Sequence, residues 1–152
     1  MAATSSIPQL SLDTLDSLPL GDLALFCARE ERPLLAAAGY VDWRLNGWLS
    51  RLIVREQFKG EKKERLLTPS MGRIPPQRIF LFGIGSGSEF KHKMAGDLGE
   101  AFAQGLAQTE TTALTVGLPG SGDTDAHEAL LHAIKKHLPT VKMTTWGPWS
   151  KL

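Results

Sequence analysis

Hydrophobic and polar positions change their spacing several times along this chain, and each change predicts an element. Residues 11–18 alternate loosely, with Leu10, Leu12, Leu15 and Leu18 as the apolar positions, and predict an edge strand. Residues 23–28 form a short apolar run behind Pro19-Leu20-Gly21-Asp22 and predict a better strand. From Val41 the period lengthens. Val41, Leu45, Trp48, Leu49 and Leu52 fall at i, i+4, i+7, i+8 and i+11, one face of a single helix. Asp42 stands at its start, where a carboxylate favours the helix dipole. Gly47 costs helix propensity there, which points to close packing. Residues 57–68 predict a hairpin with Phe58 and Leu66-Leu67 at its apolar ends and a polar tip at 60–64. Residues 69–76 are a turn-rich connection. Residues 78–82, with Ile79, Phe80, Leu81 and Phe82 in a row, are the clearest pattern of a buried strand.

The second half alternates. Met94, Leu98, Ala101, Phe102, Gly105 and Leu106 mark a helix, and residues 111–116 a strand. Asp125 is placed to cap a third helix, with Glu128 completing a capping box. The apolar face of that helix is Leu130, Leu131, Ile134 and Leu138, and Lys135, Lys136 and His137 fill its last turn. Residues 141–146 form the last strand. The order from residue 78 is therefore β-α-β-α-β, which implies right-handed crossovers and a largely parallel sheet. The helix and hairpin before it make the sheet mixed. The expectation is one α/β domain over residues 1–152, with residues 1–8 as a loose arm.

Composition narrows the class without changing this picture. A chain of 152 residues buries enough surface for a full core, roughly 70% of what it exposes unfolded. The net charge of +1, from 17 Lys and Arg against 16 Asp and Glu, argues against a nucleic-acid footprint. The cluster Lys59-Gly60-Glu61-Lys62-Lys63-Glu64-Arg65 interleaves both signs and reads as a solvated tip. Cys27 is the only cysteine and lies in an apolar run, so it reads as a small buried hydrophobe. No secretory signal and no membrane span is visible, so a soluble cytoplasmic protein is expected.

Two glycine turns carry the candidate chemistry. Gly83-Ile84-Gly85-Ser86-Gly87-Ser88 follows a strand and precedes a helix, where free N–H groups can meet an anion. The dinucleotide fingerprint needs glycine where Ser88 stands, and no Walker Gly-Lys-Ser/Thr is present. A plain strand-to-helix turn is the preferred reading. Gly117-Leu118-Pro119-Gly120-Ser121-Gly122 follows the next strand, and in a parallel sheet both turns emerge at the strands' carboxyl ends, where α/β folds bind ligands. The candidate ligand-binding residues are thus Gly83, Gly85, Ser86, Gly87, Ser88, Gly117, Gly120, Ser121 and Gly122. Asp123, Asp125, His127 and Glu128, with His132 and His137 nearby, invite a metal reading. Capping and dipole chemistry explain them better, so no metal site is assigned. Trp146-Gly147-Pro148-Trp149 either seals the core edge or docks on a partner, and core sealing is preferred.

Several motifs occur in a familiar order. Asp42-x-x-Leu45-x-Gly47-x-Leu49-Ser50, Phe58-Lys59-Gly60-x-x-x-Glu64, Leu67-x-Pro69 and Arg78-Ile79-Phe80-Leu81-Phe82-Gly83-Ile84-Gly85 together resemble the N-terminal domain of the M17 leucyl aminopeptidases, over about residues 20–140. The resemblance implies a three-layer α/β/α unit similar to macro domains. In that family two divalent metals and the active site lie in a separate C-terminal domain. Asp123-Thr124-Asp125-Ala126-His127-Glu128 is similar to a metal-binding stretch of that catalytic domain, but it lacks the following Gly-Arg and has His127 in place of Glu. The metal roles are therefore not carried over. The chain is expected to hold no cofactor and not to hydrolyse peptides by itself.

Three roles follow from the resemblance. The first is a non-catalytic module for assembly or regulation, pairing as a homo-oligomer or with an aminopeptidase-like partner. The second is a macro-like module taking ADP-ribose or another nucleotide at the glycine turns. The third is nucleic-acid binding through Lys59–Arg65 and Lys91–Lys93. The first is preferred.

Overall fold

The computed structural model describes residues 9–147. The sequence expectations for residues 1–8 and for Trp149 fall outside them. Helix α1 (Leu12–Asp16) leads into strand β1 (Gly21–Ala28). Helices α2 (Ala36–Arg44) and α3 (Trp48–Val54) follow, then strands β2 (Arg65–Pro69) and β3 (Pro76–Gly85). Helix α4 (His92–Leu106), strand β4 (Ala113–Gly117), helix α5 (Thr124–His137) and strand β5 (Lys142–Trp146) complete the order. The strands form one sheet in the order β2-β3-β1-β4-β5. Strand β2 is antiparallel to β3, and the other pairs are parallel.

Strand alternation sorts β1 between two cores. Leu23, Leu25 and Cys27 face α1, α2 and α3, where they meet Leu15, Val41, Leu49 and Phe58. Ala24, Phe26 and Ala28 face α4 and α5, where they join Leu98, Phe102, Leu130 and Ile134. Phe26, Phe82 and Phe102 pack edge to face at the centre of that second core. The result is the expected three-layer arrangement with a mixed, largely parallel sheet. Trp146 is fully buried and its indole donates to Thr14, so this tryptophan seals the core edge.

Four local expectations are corrected. Residues 11–18 are not an edge strand but contain α1. Ser11 and Thr14 cap each other reciprocally at its start, and Leu15 and Leu18 reach the core at helical spacing. The single helix from Val41 to Leu52 is two helices. Asn46 and Gly47 take φ of 57° and 80° between them, so Gly47 serves the backbone rather than close packing. Asp42 lies inside α2, where its carboxylate accepts from the Ser50 N–H and hydroxyl and so ties α3 to α2. Residues 57–68 make no hairpin of their own. Residues 59–64 form a loop held by Glu64, and β2 pairs instead with β3 across the 69–76 connection. The cap of α5 is Asp123 rather than Asp125, accepting from the Ala126 N–H, and Glu128 completes no capping box.

Candidate functional site

The parallel strands deliver their carboxyl ends to one edge of the sheet, and three loops meet there: residues 29–35 after β1, 86–91 after β3, and 118–123 after β4. Gly87 and Ser121 touch. A Cβ placed on Gly87 would run into the Ser121 hydroxyl and come within 2.7 Å of a Glu30 carboxylate oxygen. Gly122, at φ of 87°, lies against the Phe90 ring, where a Cβ would come within 2.6 Å. The two glycine turns read from the sequence are therefore neighbours, as parallel topology requires.

Not all of their residues face that edge. Gly83 is buried under residues 60–61, and a Cβ there would collide with the Glu61 carbonyl and lie 2.6 Å from the Gly60 carbonyl carbon. Gly85, at φ of 75°, lies against Lys62. Gly117 packs against Ala37 and Leu25 in the α2 core, and Gly120 lies beside Leu35 and Ala36. Ser86 and Ser88 share a hydrogen bond through their hydroxyls at 2.9 Å. Gly87, Ser121 and Gly122 are the sequence-selected positions that converge. Gly83 and Gly117 serve packing, and Gly85 supplies a left-handed backbone turn.

Three glutamates dominate this edge, and two of them, Glu30 and Glu31, were left aside by sequence reasoning. Glu30 accepts from the Gly87 N–H at 2.8 Å. Glu31 is buried and accepts from the N–H groups of Ala28 and Leu35 at 3.1 and 3.2 Å. Burial raises its pKa above the ordinary carboxylate value, although both backbone bonds pull the other way. Glu64 accepts from the N–H groups of Lys59, Gly60 and Glu61 at 2.9 to 3.0 Å. Beside this set a cleft of about 570 Å³ opens between the loop after β1 and α3, with Arg29, Arg32, Leu34, Ile53 and Val54 on its walls.

The histidines and acids near α5 do separate work. Asp123 caps the helix, and that bond lowers its pKa. His92 and Asp125 meet at 3.2 Å on the surface, and His137 approaches Glu100 at 3.7 Å. His127 is buried, its Nε2 2.9 Å from the Ser121 carbonyl, and desolvation lowers its pKa. Among the described residues no group of three or more His, Cys, Asp or Glu side chains is placed to hold a metal ion. Cys27 is buried, and burial pushes its thiol pKa up, away from thiolate chemistry.

A second feature lies on α2. Leu35 and Trp43 are 52% and 66% exposed, and with Leu12, Ala36, Gly39 and Tyr40 they line an apolar groove of about 420 Å³. Arg44 and Asp16 pair at 2.8 Å, and Arg44 also lies over the Trp43 ring at the groove's rim. Periodicity alone missed this groove, because Tyr40 and Trp43 lie off the apolar stripe that begins at Val41 and Leu12 comes from another element, α1.

The fold and this edge define a macrodomain-like α/β protein. The macrodomain of Mycobacterium tuberculosis DarG matches with a TM-score of 0.65 at 15% identity, covering 95% of this chain and 99% of that one. A variant of tomato leucine aminopeptidase matches with a TM-score of 0.60 at 17% identity, covering 99% of this chain and 34% of that one. Residues 23–138 match the N-terminal domain of the cytosol aminopeptidase family, and the chain belongs to that family. A probable cytosol aminopeptidase of Alkaliphilus metalliredigens is 39% identical over 51 residues, which are 34% of this chain and 10% of that protein. The matched segment is thus a small part of the relative's length. Among the described residues no helix is long and apolar enough to cross a membrane.

Proposed function

We propose that this domain acts in the assembly or regulation of an aminopeptidase-like system and pairs with a second copy of itself through the apolar groove on α2. The observation that carries this reading is the exposure of Leu35, Tyr40 and Trp43 on one small surface. Exposed aromatic side chains on a rim of charge resemble the anchors of protein interfaces rather than ordinary surface. The rim holds both signs, Arg44 and Asp16, so a two-fold pairing can set each against its opposite. A net charge of +1 puts little long-range repulsion between two copies. In this reading the domain supports catalysis that takes place elsewhere and supplies no catalytic group of its own.

Sedimentation velocity tests it. The wild type is expected to form dimers or larger species that Trp43→Glu converts to monomers with an unchanged fold. A wild type that stays monomeric at about 100 µM, the weak end of specific pairing, would remove the proposal.

The macrodomain likeness raises a second reading, nucleotide binding at the glycine turns. At 15% identity or less that likeness speaks to the fold alone. The backbone donor of Gly87, which an anion would need, is already engaged by Glu30. The cations of the 59–65 stretch are interleaved with Glu61 and Glu64, and Arg29 pairs with Glu61 at 3.5 Å, which weakens a nucleic-acid reading.

A further inference from the structure

We infer that the cleft between the loop after β1 and α3 is a binding site for a short apolar zwitterion, an aliphatic amino acid or dipeptide with both ends free. Its volume of about 570 Å³ lies within the roughly 300–1,000 Å³ of small-molecule sites. No residue of the two glycine turns lines it. Its apolar wall is Pro33 and Leu34 from the loop and Ile53 and Val54 from α3. Val54 is 80% exposed, so apolar surface stands uncovered on this wall.

Charged side chains of both signs share the lining, Arg29, Arg32 and Lys59 against Glu31, Glu56 and Glu61. A ligand of one sign meets repulsion from half of them, whereas a zwitterion finds a partner for each end. Arg29 is taken by Glu61 at 3.5 Å and Lys59 by Glu56 at 3.6 Å. Arg32 differs. Among the described residues it forms no ion pair, and its guanidinium donates instead to the carbonyls of Glu31 and Lys59 at 2.7 and 3.2 Å. Those bonds brace the guanidinium between two loops and leave it further N–H donors for a bidentate carboxylate. The counterpart for an ammonium is Glu31, which is 4% exposed. Each of its carboxylate oxygens accepts one backbone N–H, at 3.1 and 3.2 Å. A carboxylate has about four acceptor sites, so capacity remains for an ammonium. Such a partner would offset the desolvation that burial imposes on Glu31. An aliphatic side chain between the two ends would lie on Leu34, Ile53 and Val54. This goes beyond the pairing proposed for α2 and does not rest on it. Leu34 lines both the cleft and the α2 groove, so the test leaves Leu34 alone.

The test is a titration of the full chain with leucyl-leucine and with leucine, followed by the backbone amide resonances of Arg32, Ile53 and Val54. Saturable shifts are expected below about 10 mM. The tighter of the two probes tells a peptide from an amino acid as the ligand. N-acetyl-leucyl-leucine lacks the ammonium and leucyl-leucinamide lacks the carboxylate, and each should bind at least about tenfold more weakly than leucyl-leucine. Arg32→Gln should lose about tenfold toward leucyl-leucine and lose nothing toward leucyl-leucinamide. Val54→Gln changes an exposed side chain away from the braced loop and should weaken both by about threefold. Circular dichroism checks that the variants are folded. A wild type with no saturable shift would overturn the inference, and so would blocked peptides that bind as tightly as the free one. Folded Arg32→Gln and Val54→Gln with wild-type affinity would do the same. ADP-ribose displacing the dipeptide from these amides would equally overturn it.

Discussion

Arg78 grips Asp22 with two parallel hydrogen bonds, Nε to Oδ1 at 2.7 Å and Nη2 to Oδ2 at 2.8 Å, between register partners on neighbouring parallel strands. The Asp22 side chain is only 7% exposed, and the Thr111 hydroxyl donates to the same carboxylate at 2.6 Å. The Asp22 bond raises the Arg78 pKa. The pair therefore ties the amino ends of β1 and β3 to the segment entering β4. Truncating either partner strands a charge that the fold has taken partly out of water. Arg78→Ala is expected to lower unfolding free energy by about 2–3 kcal/mol, less than a fully buried pair because the guanidinium keeps some solvent. Asp22→Asn should cost less, since the amide still accepts one bond. Urea unfolding of the two variants checks the ranking, and Arg78→Ala at wild-type stability would contradict it.

His127 makes stability depend on pH in a fixed direction. Burial lowers its folded pKa below the ordinary 6.5, so the unfolded chain binds its proton more readily. Stability then rises with pH wherever the unfolded state holds more protons. The contribution of His127 is present above about 6.5 and is lost as pH falls from there through its folded value. Glu31 acts with the opposite sign, because its folded pKa is raised above 4.5. Its share is present at acid pH and lost as pH rises through its folded value. Unfolding midpoints between pH 7.5 and 5 should fall for the wild type and fall less for His127→Gln. Equal slopes in the two proteins would refute the assignment.

Much of the layer order was legible because it rests on periodicity. β1, β3, β4, α4 and α5 each carry an apolar pattern long enough to fix type and approximate place, and their alternation fixes the parallel sheet. The errors lie where a local contact overrides the pattern. Leu12, Leu15 and Leu18 fit an irregular strand, but the Ser11–Thr14 exchange nucleates a helical turn instead. The stripe from Val41 to Leu52 runs through two helices because Asn46 and Gly47 turn the chain without breaking the apolar spacing. The candidate site was half legible. Glycine turns announce themselves, so the meeting of the two turns, Gly87 with Ser121 and Phe90 with Gly122, follows from topology. Glu30 does not announce itself. Its partner is 57 residues away, and in Arg29-Glu30-Glu31-Arg32 it looks like any solvated charge.

Gly83 should tolerate no side chain. It sits near the carboxyl end of β3 with the 60–61 backbone laid across it, and the nearest atoms are backbone, which cannot swing aside. Gly83→Ala must lift the loop that Glu64 holds, and a loss of about 2–3 kcal/mol is expected for such overpacking. Faster hydrogen exchange confined to residues 59–64 would locate the damage. A variant as stable as wild type would mean that the loop does not lie there.

Gly99 offers a sharper contest between two effects. It lies inside α4, where replacing glycine by alanine normally stabilises a helix by about 1 kcal/mol. Here α4 packs on α5, and a Cβ on Gly99 would come within 2.8 Å of the Leu130 carbonyl oxygen and 2.9 Å of the Ala133 Cβ. The first neighbour is helical backbone and the second a methyl group on a rigid helix, so neither can rotate away. Relief requires the helices to separate by several tenths of an ångström along the line where Leu98, Phe102, Leu130 and Ile134 interdigitate. That costs about 1–3 kcal/mol, more than the propensity gain. Gly99→Ala is therefore expected to be destabilised by about 1 kcal/mol net. Gly96→Ala, on the same helix with open space around its Cα, should be stabilised instead. Thermal unfolding of the pair decides between the two effects. If both variants gain stability, helix propensity governs and the close contact of α4 with α5 at Gly99 is not present in solution.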